Sequence, residues 1–229
     1  MKVAVFPFEN IILFPHTTIP IFVYDEHYIR LVKTAVESDI PIAVGLGDPI
    51  HHLRGPKGQD YLRPKEVMGL AEAEILKEFA DGTLYVLMKG IGKVNLRSVV
   101  QQIPFLICNG EIIHDEPIDE ILDHAPIMRF KDILARWMVE NMPNKRQREI
   151  ILDQLDTPEK IVDYLSCLVI EYREARQLLL ESRNILEKIN LLEGLLQDVM
   201  SKKRIASDPI ATRQIVAFNH IEQNFSAVQ

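Results

Sequence analysis

Apolar residues follow two regimes along this chain. Up to about residue 115 they come in short runs, KVAVFPF, IPIFV, PIAVGL, TLYVLMKG and FLICNGEII, rich in Val, Ile and aromatic side chains and bounded by Gly or Pro. Runs of that length and composition predict strands. EAEILKEFA and TLYVLMKG flank Asp81-Gly82, a pair that tolerates positive φ at both central positions of a tight turn, so the two runs predict a hairpin. One helix interrupts the strands. In DEHYIRLVKTAVES, Tyr28, Leu31, Val32, Ala35 and Val36 share a face, and Asp25 and Glu26 suit the positive end of the helix dipole. Between Pro15 and Pro20 the chain must bend or lie at a sheet edge, because each proline fixes φ and removes a ladder donor. Phe14, Ile19, Ile21 and Val23 then point to the core. Gly47 to Lys65, GDPIHHLRGPKGQDYLRPK, shows no periodicity and predicts an exposed loop.

After Glu116 the apolar period lengthens to three and four, and a single glycine of the ten, Gly194, remains. The predicted helices are Ile118 to Asn141, bent at Pro126, and Lys145 to Leu155. A third begins at Pro158, capped by Thr157, and runs to about Tyr172, followed by a shorter turn to Glu181. The last starts near Ser182. Its Ile185, Ile189, Leu192, Leu196 and Val199 form a heptad seam, which either packs within its own bundle or makes an intermolecular coiled coil. The division expected is therefore a β domain over 1–115, a helical bundle over 116–206 and a tail over 207–229. A homodimer through the last helix or the tail is a further expectation.

Charge narrows the choice of partner. The net charge is -7, with 11 basic against 14 acidic residues through Asp115 and 15 against 19 after it. Neither half carries the basic excess that a phosphate backbone rewards, which argues against nucleic acid. Cys108 and Cys167 sit far apart among apolar neighbours and read as buried, reduced thiols of a cytoplasmic protein. No leader peptide or membrane span is expected, the apolar runs being too short.

Candidate chemistry is sparse. GPKGQD and KGIGKVN imitate a phosphate-binding loop without its spacing, and Val94 stands where a magnesium-ligating hydroxyl would be needed. No serine stands in a G-x-S-x-G elbow, and Ser98 and Ser166 read as strand and helix residues. His51-His52, His114-Asp115 and Asp123-His124 read as solvated or capping groups rather than metal ligands. His16, between Pro15 and Thr17, reads as satisfied by local backbone. The expectation is a chain without catalytic residues, metal or cofactor.

One resemblance gives the opening stretch a meaning. FPFENIILFPHTTIPIFVYDEHYIRLVKTAV resembles the start of the N-terminal substrate-binding domain of the Lon ATP-dependent protease family, with Phe14, Pro15, His16, Ile19, Pro20, Phe22 and Val23 at its motif positions. EVMGLAEAEILKEFADGTLYVLMKGIGKVNL is similar to that family's strand, Asp81-Gly82-Thr83 hairpin and glycine-rich strand containing Gly90, although the family often has Arg where Lys93 stands. EARQLLLESRNILEKINLL resembles its helical segment. The resemblance implies an α+β fold, a PUA-like pseudo-barrel followed by a helical bundle with a long last helix. It also implies a non-catalytic module that recognises client proteins or peptides, serves a separate protease or chaperone, and lacks the family's ATPase and protease modules. Phe14, Pro15, His16, Pro20, Phe22, Asp81, Gly82 and Gly90 are expected to be scaffold, and Tyr24, His51, His52 and Tyr61 to contact peptide. The alternative on such a fold is a small-molecule or RNA binder.

Overall fold

In the computed structural model of the chain, residues 1–54, 60–117 and 123–202 are described, with the backbone alone at 51–54, 60, 61 and 198–202. They divide into two compact units between His114 and Asp115, giving an α+β fold.

The first unit runs β1 (Lys2–Phe8), β2 (Thr18–Val23), α1 (Glu26–Glu37), β3 (Ile42–Arg54), β4 (Asp60–Pro64), β5 (Val67–Glu78), β6 (Leu84–Gln101) and β7 (Ile107–Ile113). β1 pairs in parallel with β3, Ala4 opposite Ile42, and antiparallel with β7, Val3 opposite Cys108. Since β7, β6, β5 and β3 follow one another antiparallel, these five strands close into a small barrel. Val3, Val5, Ala43, Met68, Leu70, Val94 and Cys108 fill it, the alternate positions that a pleated strand turns inward. Closure removes most of the open edge that a sheet of this size would otherwise carry.

α1 begins where Asp25 accepts a hydrogen bond from the His27 N–H, 2.9 Å, a side-chain N-cap. It packs on β1 through Tyr28, whose ring stacks on Phe6 at 4.3 Å. Its buried face is Leu31, Val32 and Ala35. Val36, expected on that face, is 42% exposed, so the apolar stripe is one residue narrower than the periodicity predicts.

The proline-rich opening resolves into two devices. β2 is an edge strand whose one strand partner is β6, and Ile19, Ile21 and Val23 face inward opposite Met88, Val86 and Leu84. Before it, the chain crosses over β5 and β6 so closely that a Cβ on Gly69 would stand 2.0 Å from the Leu13 carbonyl oxygen, and one on Gly90 would stand 2.1 Å from that of Phe14. Glycine is required at both positions for that reason. The crossing is pinned by His16 N–H to Gly90 O at 2.9 Å, Gly90 N–H to Thr17 O at 2.8 Å, and Thr17 Oγ1 to Phe14 O at 2.7 Å. His16 takes φ 62, a left-handed turn that His tolerates better than most residues.

The predicted loop from Gly47 to Lys65 is corrected by the structure. β3 continues to Arg54 and pairs antiparallel with β4, Gly47 opposite Pro64, Pro49 opposite Leu62 and Ile50 opposite Tyr61. Two prolines and a glycine hide this pairing in the sequence. They are tolerated because β4 lies at the end of the sheet and the register slips beyond Ile50.

The second unit comprises α2 (His124–Asn141), α3 (Lys145–Gln154), α4 (Pro158–Leu168), α5 (Arg173–Glu181) and α6 (Ile185–Lys202). Its caps are Asp123, Asn144 and Thr157, each accepting a backbone N–H of the following turn. Pro126 falls in the first turn of α2, where its missing N–H breaks no helical bond, so the expected bend is replaced by a helix start. Residues 118–122 lie outside the described residues. α4 stops at Leu168, and the expected short turn is the nine-residue α5. α6, expected to start near Ser182, begins at Ile185 and is capped by Asn184, whose Oδ1 accepts from the N–H groups of Leu186 and Glu187. It is 18 residues long, as is α2. Its seam residues Ile185, Ile189, Leu192 and Leu196 are buried within the unit, whereas the expected tail from 207 lies outside the described residues.

This unit also buries charge. Lys188 Nζ lies 3.1 Å from Asp115 Oδ2 and 3.8 Å from Asp163 Oδ1. Arg176 is buried too, and desolvation pulls its guanidinium below the usual arginine range.

Candidate functional site

β2, the first half of β6 and the second half of β5 form a three-stranded ribbon, with Thr18–Val23 against Lys89–Leu84 and Glu72–Glu78 on β6's other side. Alternation gives it two faces. Ile19, Ile21, Val23, Leu84, Val86 and Met88 point inward. On the other face, one register line carries Lys77, Tyr85 and Phe22 across the three strands, because Tyr85 pairs with both Lys77 and Phe22.

The turn after β5 adds a second phenylalanine. Phe79 N–H donates to Thr83 O and Gly82 N–H to Phe79 O, both at 2.9 Å, with Gly82 at φ 84. Thr83 N–H donates to Asp81 Oδ1 at 3.0 Å, a bond that holds the Asp81 carboxyl below the usual range. The turn sets Phe79 beside Phe22, with ring centroids 6.2 Å apart, while Phe22 stacks on Tyr85 at 4.5 Å. Lys77 Nζ sits 4.9 Å from the centre of the Phe79 ring, within cation–π range. Tyr85 is 5% exposed, and burial pushes its phenol up to about 12. It is therefore the neutral floor, and Phe22, 39% exposed, is the accessible top. Tyr24, just past β2, is 74% exposed. Ion pairs flank the ribbon, Lys89 with Glu74 and Lys33 with Glu78, each at 2.6 Å.

The structure divides the predicted residues. Phe14, Pro15 and Pro20 are buried, and His16 and Gly90 pin the crossing. Asp81 and Gly82 make the turn that delivers Phe79. Phe22, expected as scaffold, lies 39% exposed at the top of the aromatic group. Of the expected peptide contacts, Tyr24 follows the ribbon, whereas His51 and His52 on β3 and Tyr61 on β4 have side chains outside the described residues. Sequence reasoning missed Lys77, Phe79 and Tyr85. Counting outward from Asp81-Gly82 faces Lys77 with Tyr85, but nothing local points from there to Phe22, some sixty residues upstream.

What this surface offers is contact, through stacked rings, a neutral phenol and one nearby ammonium. Among the described residues no three His, Cys, Asp or Glu side chains gather to hold a metal ion. Both cysteines are buried and neither forms a disulfide, and burial raises the Cys108 thiol pKa. No helix of the described residues is long and apolar enough to cross a membrane.

Residues 2–198 match the ATP-dependent protease La (LON) substrate-binding domain. The chain belongs to this family. Over 196 residues it is 26% identical to the Lon protease of Xanthomonas oryzae pv. oryzae, covering 85% of this chain and 23% of that protein. It is 25% identical to Lon protease 2 of Thermus thermophilus over 207 residues, 87% of this chain and 25% of that one. The chain thus spans about a quarter of the length of these Lon relatives, and the likeness falls on the substrate-binding domain. Two solved structures share the fold, each at TM-score 0.59 and 18% identity. The Lon N-terminal domain protein from Xanthomonas campestris matches over 85% of this chain and 98% of its own. The N-terminal domain of the Mycobacterium avium complex Lon protease matches over 86% and 99%.

Proposed function

We propose that this Lon-family chain holds polypeptide segments non-catalytically, in the cytoplasm, with the Phe22, Phe79 and Tyr85 face of the ribbon as its contact. The observation that carries the reading is Phe22 itself, a large aromatic residue left accessible at a sheet edge and backed by two further rings, in a chain whose family is a substrate-binding domain. What supports the reading is that Phe22 is accessible while Tyr85 and Phe79 back it, so a partner side chain laid on it meets an ordered apolar surface. Aromatic side chains supply large contact area at low entropic cost, which suits a site that tolerates many sequences.

The test is binding of a permanently unfolded, reduced and alkylated protein, measured by fluorescence anisotropy. Phe22→Ala is expected to weaken it about tenfold, the loss typical of one aromatic anchor, with the melting temperature nearly unchanged. Val99→Ser, which alters an exposed apolar residue on β6 away from the ribbon, is expected to leave it unchanged. Equal affinity for wild type and Phe22→Ala, or an equal loss in both variants, would remove the ribbon from the reading.

A further inference from the structure

Among the described residues of the ribbon strands, two charges stand outside the ion pairs, Glu72 at the far end of the ribbon's β5 segment and Lys77 beside the rings. Lys89 is paired with Glu74 and Lys33 with Glu78, while Lys77 forms no ion pair among the described residues and rests over the Phe79 ring. A cation placed on an aromatic face beside an exposed phenylalanine gives this surface a polarity that a purely apolar patch lacks. Resting on the reading above, we propose that the ribbon selects segments in which an apolar side chain is followed two residues later by an acidic one, the first lying on Phe22 and Phe79 and the second pairing with Lys77.

The spacing follows from strand geometry. In an extended segment the side chains of residues i and i+2 project from the same face about 6.6 Å apart. Phe22 and Lys77 belong to the two outer strands of the ribbon, about 10 Å apart across β6, and the Lys77 side chain leans toward the rings, its ammonium 4.9 Å from Phe79. Residues i and i+2 match that reduced gap, whereas i+1 would point away from the surface. The acidic group is a side chain rather than a chain terminus. Capture of a terminal carboxylate uses a concave nest of backbone N–H groups, and the ribbon offers a single point charge on an open face.

The experiment uses fluorescent twelve-residue peptides in a Gly/Ser background with blocked termini, carrying Phe-x-Glu, Phe-x-Gln or Phe-x-Lys, titrated by anisotropy at low salt. With wild type, Phe-x-Glu is expected to bind about three- to fivefold tighter than Phe-x-Gln, the scale of a solvent-exposed ion pair. That ratio is expected to shrink in high salt, to fall to one in Lys77→Met, which keeps the stem over Phe79, and to reverse toward Phe-x-Lys in Lys77→Glu. Equal binding of the Glu and Gln peptides to wild type, or a preference that survives Lys77→Met, overturns the selection while leaving aromatic binding in place. A Phe peptide with an unblocked C-terminus and no acidic side chain that gains as much also overturns it, in favour of a terminal carboxylate. If Phe peptides bind no better than their Ala counterparts, the underlying reading falls as well.

Discussion

The two units differ in how they treat aromatic surface and charge, although each buries a cation, Lys93 in the β unit and Lys188 in the helical unit. The β unit keeps an apolar barrel inside and gathers aromatic surface at one place outside, where Phe22 tops Tyr85 beside Phe79. The helical unit brings charge inside, with Lys188 between Asp115 and Asp163. Its exposed apolar side chains, Met128, Val139, Ile150 and Leu178, are spread over three helices. Scattered apolar residues are what any soluble surface carries, whereas a backed cluster is a feature that needs a reason. The contrast sets an accessible aromatic group on the β unit against ion pairing inside the helical unit, and it is the ground on which the contact surface is proposed for the former.

The sharpest way to break this contrast is at the crossing over β5 and β6. Gly69→Ala and Gly90→Ala each force a Cβ onto a carbonyl oxygen at 2.0 and 2.1 Å, and each is expected to cost about 4 kcal/mol or more, among the largest single-residue effects. Gly92→Ala, with nothing within 4 Å of the added atom, is expected to stay within about 0.5 kcal/mol. Urea midpoints of the three variants check this, and three similar midpoints would show that the crossing is not tight.

The helical unit is probed next through its buried cation. Lys188→Met is expected to cost about 3–5 kcal/mol, because it removes the cation that lies beside the buried Asp163 carboxylate. Adding Asp163→Leu is expected to recover most of that loss, since apolar replacement of a buried pair is often neutral. Failure of the double variant to recover in chemical denaturation would mean that the charges shape the packing beyond their mutual attraction.

Alkaline titration reaches both units at once and has a smaller effect. Tyr85 and Tyr164 have phenols pushed up to about 12 by burial, against about 10 in the unfolded chain. Folding favours the neutral phenol, so this contribution to stability is fully present below about pH 10 and is lost as pH rises toward 12. Phenolate absorbance is expected to show these two of the six tyrosines ionising late, together with loss of structure. Six phenols titrating together near 10 in the folded protein would contradict the burial.

Legibility in the sequence followed the range of each interaction. Asp25, Asp81-Gly82 and Thr157-Pro158 were readable because a cap or a turn is decided within four residues. The inward alternation of Ile19, Ile21 and Val23 was readable for the same local reason. The β3–β4 pairing was not, because Pro49 and Pro64 mimic a loop unless it is known that β4 ends the sheet. The stacking of Phe22 with Phe79 and Tyr85 is not legible either, because both partners come from a distant hairpin. The Lon resemblance covers much of the chain, yet it named motif positions rather than the surface they build.

The placement of β1 between β3 and β7 bears on how the protein is made. Made before both of its partners, β1 finds one neighbour at Ile42–Leu46 and the other only at Ile107–Asn109. At about 5–20 residues per second of synthesis, it waits some seconds for the second of these. Until then Val3, Val5 and Phe6 are held by one side alone, so the nascent chain passes through an interval in which the future barrel interior is still open along one seam.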